Sequence, residues 1–133
     1  MSLAQKFLLL FSGCATAHGQ TTVLDSARNG KMNAKSFIVR EALTVDLVEQ
    51  HLKGERGIGS IPIDEYNKCV FGALDIDDYN LDLIALKNKI DRLKLPLVVC
   101  RSKSGGAHCF LFVKEKISAA EMRDKLAEFA SAL

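Results

Sequence analysis

No Cys-x-x-Cys pair occurs in the sequence, and its four cysteines, Cys14, Cys69, Cys100 and Cys109, are scattered. Finger and ribbon zinc sites need closely spaced ligand pairs, so a structural zinc of that kind is excluded. Each cysteine stands among apolar or small neighbours, which predicts small buried hydrophobes in a reducing cytoplasm. Long hydrophobic runs are also missing. Phe7 to Phe11, following Lys6, is an apolar run of only five residues, short of the roughly 7–15 of a secretory signal. Nothing approaches the roughly 18 apolar residues of a membrane span. These absences predict a cytoplasmic protein with no membrane partner. Neither sign of charge dominates: 18 basic and 16 acidic residues leave +2. That balance neither requires nor excludes nucleic acid, because a local basic face matters more than the sum. Internal repeats and low-complexity segments are absent. So is the Gly-x-x-x-x-Gly-Lys-Ser/Thr spacing of a P-loop.

What is present is the composition of an ordinary globule, 48% hydrophobic and 26% charged over 133 residues, enough for one domain with a modest core. Ser2 and Gln5 form a capping-box start for a first helix that Gly13 stops. Residues 14–35 are polar and contain glycine, which predicts a loop. Phe37-Ile38-Val39 predicts a short strand within 35–40. A second helix runs from Thr44 as N-cap to about Lys53, with Val48 and Leu52 on one face and Gly54 closing it. Residues 57–63 predict a short strand.

The second half is patterned more clearly. Residues 70–77 form a buried strand that turns acidic at its end. Asn80 caps a helix running to about Leu95, with Leu83, Leu86, Ile90 and Leu93 at helical spacing, and Pro96 ends it. Strands follow at 97–100 and 107–113, separated by a polar loop. Ser118 and Glu121 open a last helix whose face carries Met122, Leu126, Phe129 and Leu133. The basic side chains of Lys87, Lys89, Arg92 and Lys94 form a solvated helix face. Strand, helix, strand, strand, helix is a split βαβ, ferredoxin-like order that lacks one final strand. Either the chain is a fragment, or a strand from the N-terminal half takes the fourth place.

Two motifs can carry chemistry. In Asp75-Ile76-Asp77, strand alternation puts both carboxylates on one face, about 6.6 Å apart at roughly 3.3 Å per residue. Two such carboxylates suit Mg²⁺ or Mn²⁺, which prefer oxygen ligands; without a cation they repel each other. Alone, Asp-x-Asp is a weak signal better read as turn and cap chemistry, and Asp78, on the other face, is the turn or capping residue. In Arg101-Ser102-Lys103-Ser104-Gly105-Gly106-Ala107-His108, the glycine pair admits phosphate to backbone N–H groups, while Ser, Lys, Arg and His supply donors and charge. A plain hairpin tip would need less. If the acidic strand lies beside this hairpin, carboxylates and donors share a surface fit for a metal-bound triphosphate.

Taken together, these residues resemble the archaeo-eukaryotic primase superfamily, in the form carried by plasmids, phages and bacterial conflict islands. Residues 71–77 resemble its hydrophobic-Asp-hydrophobic-Asp motif, and residues 100–108 its Ser/Gly-rich motif ending in His. His51-Leu52-Lys53-Gly54, Gly57-Ile58-Gly59 and Pro62 resemble the stretch before the metal motif. The resemblance covers most of residues 45–133. It implies an α+β fold in which a small N-terminal αβ unit, residues 1–68, packs on an incomplete RRM/ferredoxin-like βαββα unit, residues 69–133. Asp75 and Asp77 would ligate the catalytic metal, with His108 completing the catalytic set. Arg101, Ser102, Lys103, Ser104, Gly105, Gly106 and His108 would bind the nucleotide. The implied cofactor is Mg²⁺ or Mn²⁺. The implied partners are nucleoside triphosphates and a DNA template, with a helicase domain or protein as a further one. The superfamily's third motif, an acidic residue after the second helix, has no counterpart before Leu133, so the chain is expected to be part of a larger primase-polymerase.

Two other classes compete. An RRM-like nucleic-acid-binding module would expose strand aromatics for stacking, but Phe110 and Phe112 lie in an almost continuously apolar strand, which predicts burial. A nicking enzyme would need paired histidines and a nucleophilic tyrosine. His18 and His51 are lone, expected to be structural or at the surface, and neither Tyr66 nor Tyr79 has histidine company.

Overall fold

A computed structural model describes residues 1–28 and 31–133, with side chains outside 23–33. The chain divides into two compact units, Met1–Asn67 and Lys68–Leu133. The class is α+β, with four helices and two three-stranded sheets among the described residues.

In the first unit, helix α1 (Leu3–Leu10) starts at the expected capping box: Ser2 accepts from the Gln5 N–H while the Gln5 side chain accepts from the Ser2 N–H. The expected loop at 14–35 is instead most of an antiparallel hairpin, β1 (His18–Arg28) and β2 (Lys31–Val39). Its polarity suits a strand with a hydrated face. The Thr21-Thr22-Val23 run is β-branched, which favours strands, and Thr21 meets the Ser36 hydroxyl across the ladder at 3.0 Å. Helix α2 (Val45–Leu52) is capped by Thr44 as expected and buries Val48 completely, but Leu52 is exposed. Lys53 is the C-cap, and Gly54 follows it at φ +77°. Strand β3 (Gly57–Gly59) pairs with β1, giving the order β2-β1-β3.

Both histidines of this unit are structural, as expected. His18 is 1% exposed; its Nδ1–H donates to the Glu41 carbonyl at 2.7 Å and its Nε2 accepts from the Gln20 amide at 3.1 Å. His51 Nδ1 donates to the Arg56 carbonyl at 3.0 Å.

The second unit runs β4 (Lys68–Ile76), α3 (Leu83–Arg92), β5 (Val98–Arg101), β6 (Ala107–Ser118) and α4 (Ala119–Ala132). The sheet order is β4-β6-β5, with β6 antiparallel to both neighbours. Hence β4 and β5 are parallel, and α3 is the crossover that such a pair requires. All three strands come from this unit among the described residues, so no N-terminal strand takes the fourth place; β1 to β3 pair with one another. Leu86 and Ile90 of α3 and Met122 of α4 bury against Cys69, Leu97, Ala107, Cys109 and Leu111. Each large side chain so buried contributes about 1.5–3 kcal/mol.

Helix α3 starts later than expected, at Asp82 rather than Asn80, and ends at Arg92 rather than near Leu95, leaving Leu93 exposed. The Asp78 carboxylate accepts from the Asn80 N–H at 3.0 Å and its carbonyl accepts from the Leu81 N–H at 3.1 Å. Residues 78–81 are thereby held as a turn, and the Asp82 carboxylate then accepts from the Ala85 N–H at 3.0 Å. Asp82→Ala should therefore cost about 1 kcal/mol in denaturant unfolding, and Asn80→Ala less than about 0.5. Equal effects would place the cap at Asn80.

Cys69 and Cys109 are buried as expected, but Cys14 is partly exposed and Cys100 is exposed. Strand alternation explains the second: Cys100 pairs with His108, on the face opposite the one that buries Ala107 and Cys109. Burial pushes the Cys109 thiol up, and neighbouring Cys100 adds to this. No helix among the described residues is long and apolar enough to cross a membrane.

Candidate active site

Alternation sorts the second sheet into two faces. Ala107, Cys109 and Leu111 of β6 point into the core under the helices. The residues between them, His108, Phe110 and Phe112, share the other face with their β4 partners Asp75, Ala73 and Phe71. On β5, Cys100 is the partner of His108. Asp75, His108 and Cys100 therefore form one row across all three strands. Phe110 and Phe112 are half-buried on this face instead of sealed in the core. Their rings stack with centroids 5.9 Å apart, and His108 meets Phe110 edge-on at 6.0 Å. Both belong to a strand whose apolar run hid the alternation.

Asp75 Oδ1 lies 3.5 Å from His108 Nε2, with the side chains 62% and 44% exposed. That separation exceeds a good hydrogen bond, and an exposed pair is worth little. Each group thus retains its capacity for a ligand. Asp77 directly follows the last residue of β4 and is exposed. The two acids beyond it have structural work, Asp78 in the turn and Asp82 in the cap. Asp75 and Asp77 are left as the oxygen donors at this strand end, a hard donor pair that fits Mg²⁺ or Mn²⁺. Among the described residues no group of three or more His, Cys, Asp or Glu side chains is arranged to hold a metal ion.

The donor loop is docked on the same strand end. Ile76 and Ala107 are register partners. A Cβ on Gly106 would lie 2.0 Å from the Ile76 carbonyl oxygen, so only glycine lets the loop approach this closely. The Ser102 N–H donates to the Gly106 carbonyl at 3.0 Å and the Gly105 N–H to the Ser102 carbonyl at 3.2 Å. The resulting turn needs Gly105 at φ +93°, and it lifts Lys103 and Ser104 into solvent at its corner. Asp75, His108 and residues 102–106 are thus brought together. Arg101 is not in that group: it pairs with buried Ala107, so its side chain leaves from the helix side of the sheet. Cys100, read from the sequence as buried, is the residue whose place in this row was missed. Its signal was the alternation with Val99, which becomes usable only once the hairpin register is known.

A family model described as the archaeo-eukaryotic primase domain of the TOTE conflict system matches residues 15–132. The chain belongs to this family. No curated protein matches it. An archaeo-eukaryotic primase domain is a primase-like nucleotidyltransferase domain, of a class that typically uses divalent metal and acts on nucleotides and nucleic acids. In this primase domain the acidic strand end and the glycine loop belong to one unit, and one end of the β4-β6-β5 sheet positions both.

Proposed function

We propose that the second unit holds a metal-bound nucleoside triphosphate for template-directed nucleotidyl transfer on DNA. Asp75 and Asp77 would ligate Mg²⁺ or Mn²⁺. Ser102, Lys103, Ser104, His108 and the backbone of Gly105 and Gly106 would hold the phosphates, with Arg101 reaching them only around the strand end. The observation that carries this reading is the docking of the donor loop on the acidic strand end, with His108 directly across from Asp75.

In the reaction a primer 3′-hydroxyl attacks the α-phosphate, the new P–O bond forms as the bond to the β-phosphate bridge breaks, and pyrophosphate leaves. Bound metal supplies charge neutralisation there. The chain's residues orient the triphosphate: Lys103 offers charge at the loop corner, and the loop's amides and hydroxyls donate to phosphate oxygens. The β4-α3-β5-β6-α4 order and the β4-β6-β5 sheet support an RRM-like reading of this unit. We take the domain to act in the cytoplasm as a primase-polymerase serving replication of a mobile element, with a helicase domain or protein as partner.

His108→Ala should weaken triphosphate binding by about 10- to 100-fold, the worth of a hydrogen bond to a charged group, and monophosphate binding much less. Calorimetric titration with both ligands measures this, and equal losses would remove His108 from the outer phosphates. The Phe110–Phe112 stack favours a second reading, a non-catalytic nucleic-acid-binding sheet. Binding of single-stranded DNA with no binding of metal-triphosphate would select it.

A further inference from the structure

Residues 78–81 form a turn set between Asp77 and helix α3, pinned by the Asp78 carboxylate and carbonyl. Tyr79 sits at the corner of that turn. Its backbone faces the donor loop, because a Cβ on Gly105 would lie 4.0 Å from the Tyr79 carbonyl oxygen. Tyr79 is 67% exposed, and of the exposed aromatics Phe37, Tyr66 and Tyr79 it is the one in this unit among the described residues. The turn chemistry is complete without it: Asp78 makes the hydrogen bonds, and a corner position tolerates most residues. The exposed phenol ring presents an uncovered apolar face to solvent, with a polar hydroxyl at its tip.

We propose that Tyr79 stacks on the nucleobase of the incoming nucleoside triphosphate. The inference rests on the nucleotide reading of the same site and adds to it the group that holds the nucleoside end. With the metal at Asp75 and Asp77 and the phosphates on residues 102–106, both flanks of the Tyr79 turn are occupied by the charged part of the ligand. Phe110 and Phe112 are half-buried on the sheet face, so Tyr79 is the exposed aromatic of this unit that a nucleoside attached to that triphosphate would meet. Stacking is indifferent to base identity, as a templated enzyme requires, because every base has a π-face. The turn fixes the tyrosine's backbone in advance, so less ordering is lost on binding.

The test separates this contact from the site itself by comparing ATP with inorganic tripolyphosphate, each with Mg²⁺. Tyr79→Ala should weaken ATP binding by roughly 5- to 100-fold, the worth of one base–aromatic stack, and leave tripolyphosphate binding unchanged. Tyr79→Phe should keep both. The sequence has no tryptophan and two tyrosines, so in Tyr66→Phe protein Tyr79 is the sole tyrosine emitter; ATP should quench it and tripolyphosphate should not. Unchanged ATP affinity in Tyr79→Ala overturns the proposal. So does an equal loss for both ligands, which would mean a disturbed loop, or a loss in Tyr79→Phe as large as in Tyr79→Ala. If the unsubstituted protein binds neither ligand, the nucleotide reading itself fails and this contact falls with it.

Discussion

Replacing Asp75 and Asp77 together by alanine should abolish Mn²⁺-dependent binding of nucleoside triphosphate while the protein stays folded. Both side chains are exposed, and neither caps a helix nor closes a turn, since Asp78 and Asp82 do that. The core beneath, Leu111 and Cys109 against the helices, does not depend on them. Removing two like charges from one strand end relieves repulsion, so stability should hold or rise slightly. Ligand binding should fall by on the order of 100-fold or more, because metal-linked charge stabilisation is worth several kcal/mol. Circular dichroism and unfolding curves check the fold, and calorimetry with Mn²⁺ and triphosphate checks the site. Unchanged affinity would reject the metal role of the pair.

Gly106→Ala should be severe in a different way. Its methyl would meet the Ile76 carbonyl oxygen at 2.0 Å and the Ile76 carbonyl carbon at 3.2 Å. Both are backbone atoms of a strand paired along its length with β6, so they cannot swing aside as a flexible side chain could. Overpacking of this kind costs about 3 kcal/mol. Part of the strain should be relieved by lifting the loop from the strand end, so triphosphate binding should weaken as well. Urea unfolding reads the first effect and nucleotide titration the second. A Gly106→Ala protein as stable as the parent would mean that the loop is not docked on β4.

The acidic pair and the donor loop were legible in the sequence because both signals are local. Asp75 and Asp77 follow from a two-residue period, and the loop from two adjacent glycines among hydroxyls and cations. The five elements of the second unit were legible for the same reason, since Leu86 and Ile90 in one helix, and Met122 and Leu126 in the other, repeat at helical spacing and pack in or against the core. What needed partners far along the chain was hidden. The hairpin at 18–39 reads as loop because its residues are polar, and its Thr21–Ser36 pairing is visible only when both strands are present. Cys100, Phe110 and Phe112 lie in apolar runs, where alternation decides the face but hydropathy does not reveal it. The start of α3 turned on a competition between two good capping residues. Asp82 won because its carboxylate is the one that accepts from the Ala85 N–H, while Asn80 lies inside the turn that Asp78 pins.

The central claim is that Asp75, Asp77 and residues 102–108 grasp one and the same metal-triphosphate. Crystals of the protein grown with Mn²⁺ and a non-hydrolysable nucleoside triphosphate test it directly through the anomalous signal of manganese. The account predicts a manganese peak bonded both to the Asp75 and Asp77 carboxylates and to phosphate oxygens, with those phosphates hydrogen-bonded by the 102–106 loop and His108. Manganese away from the aspartates, or a triphosphate bound clear of the glycine loop, would contradict it.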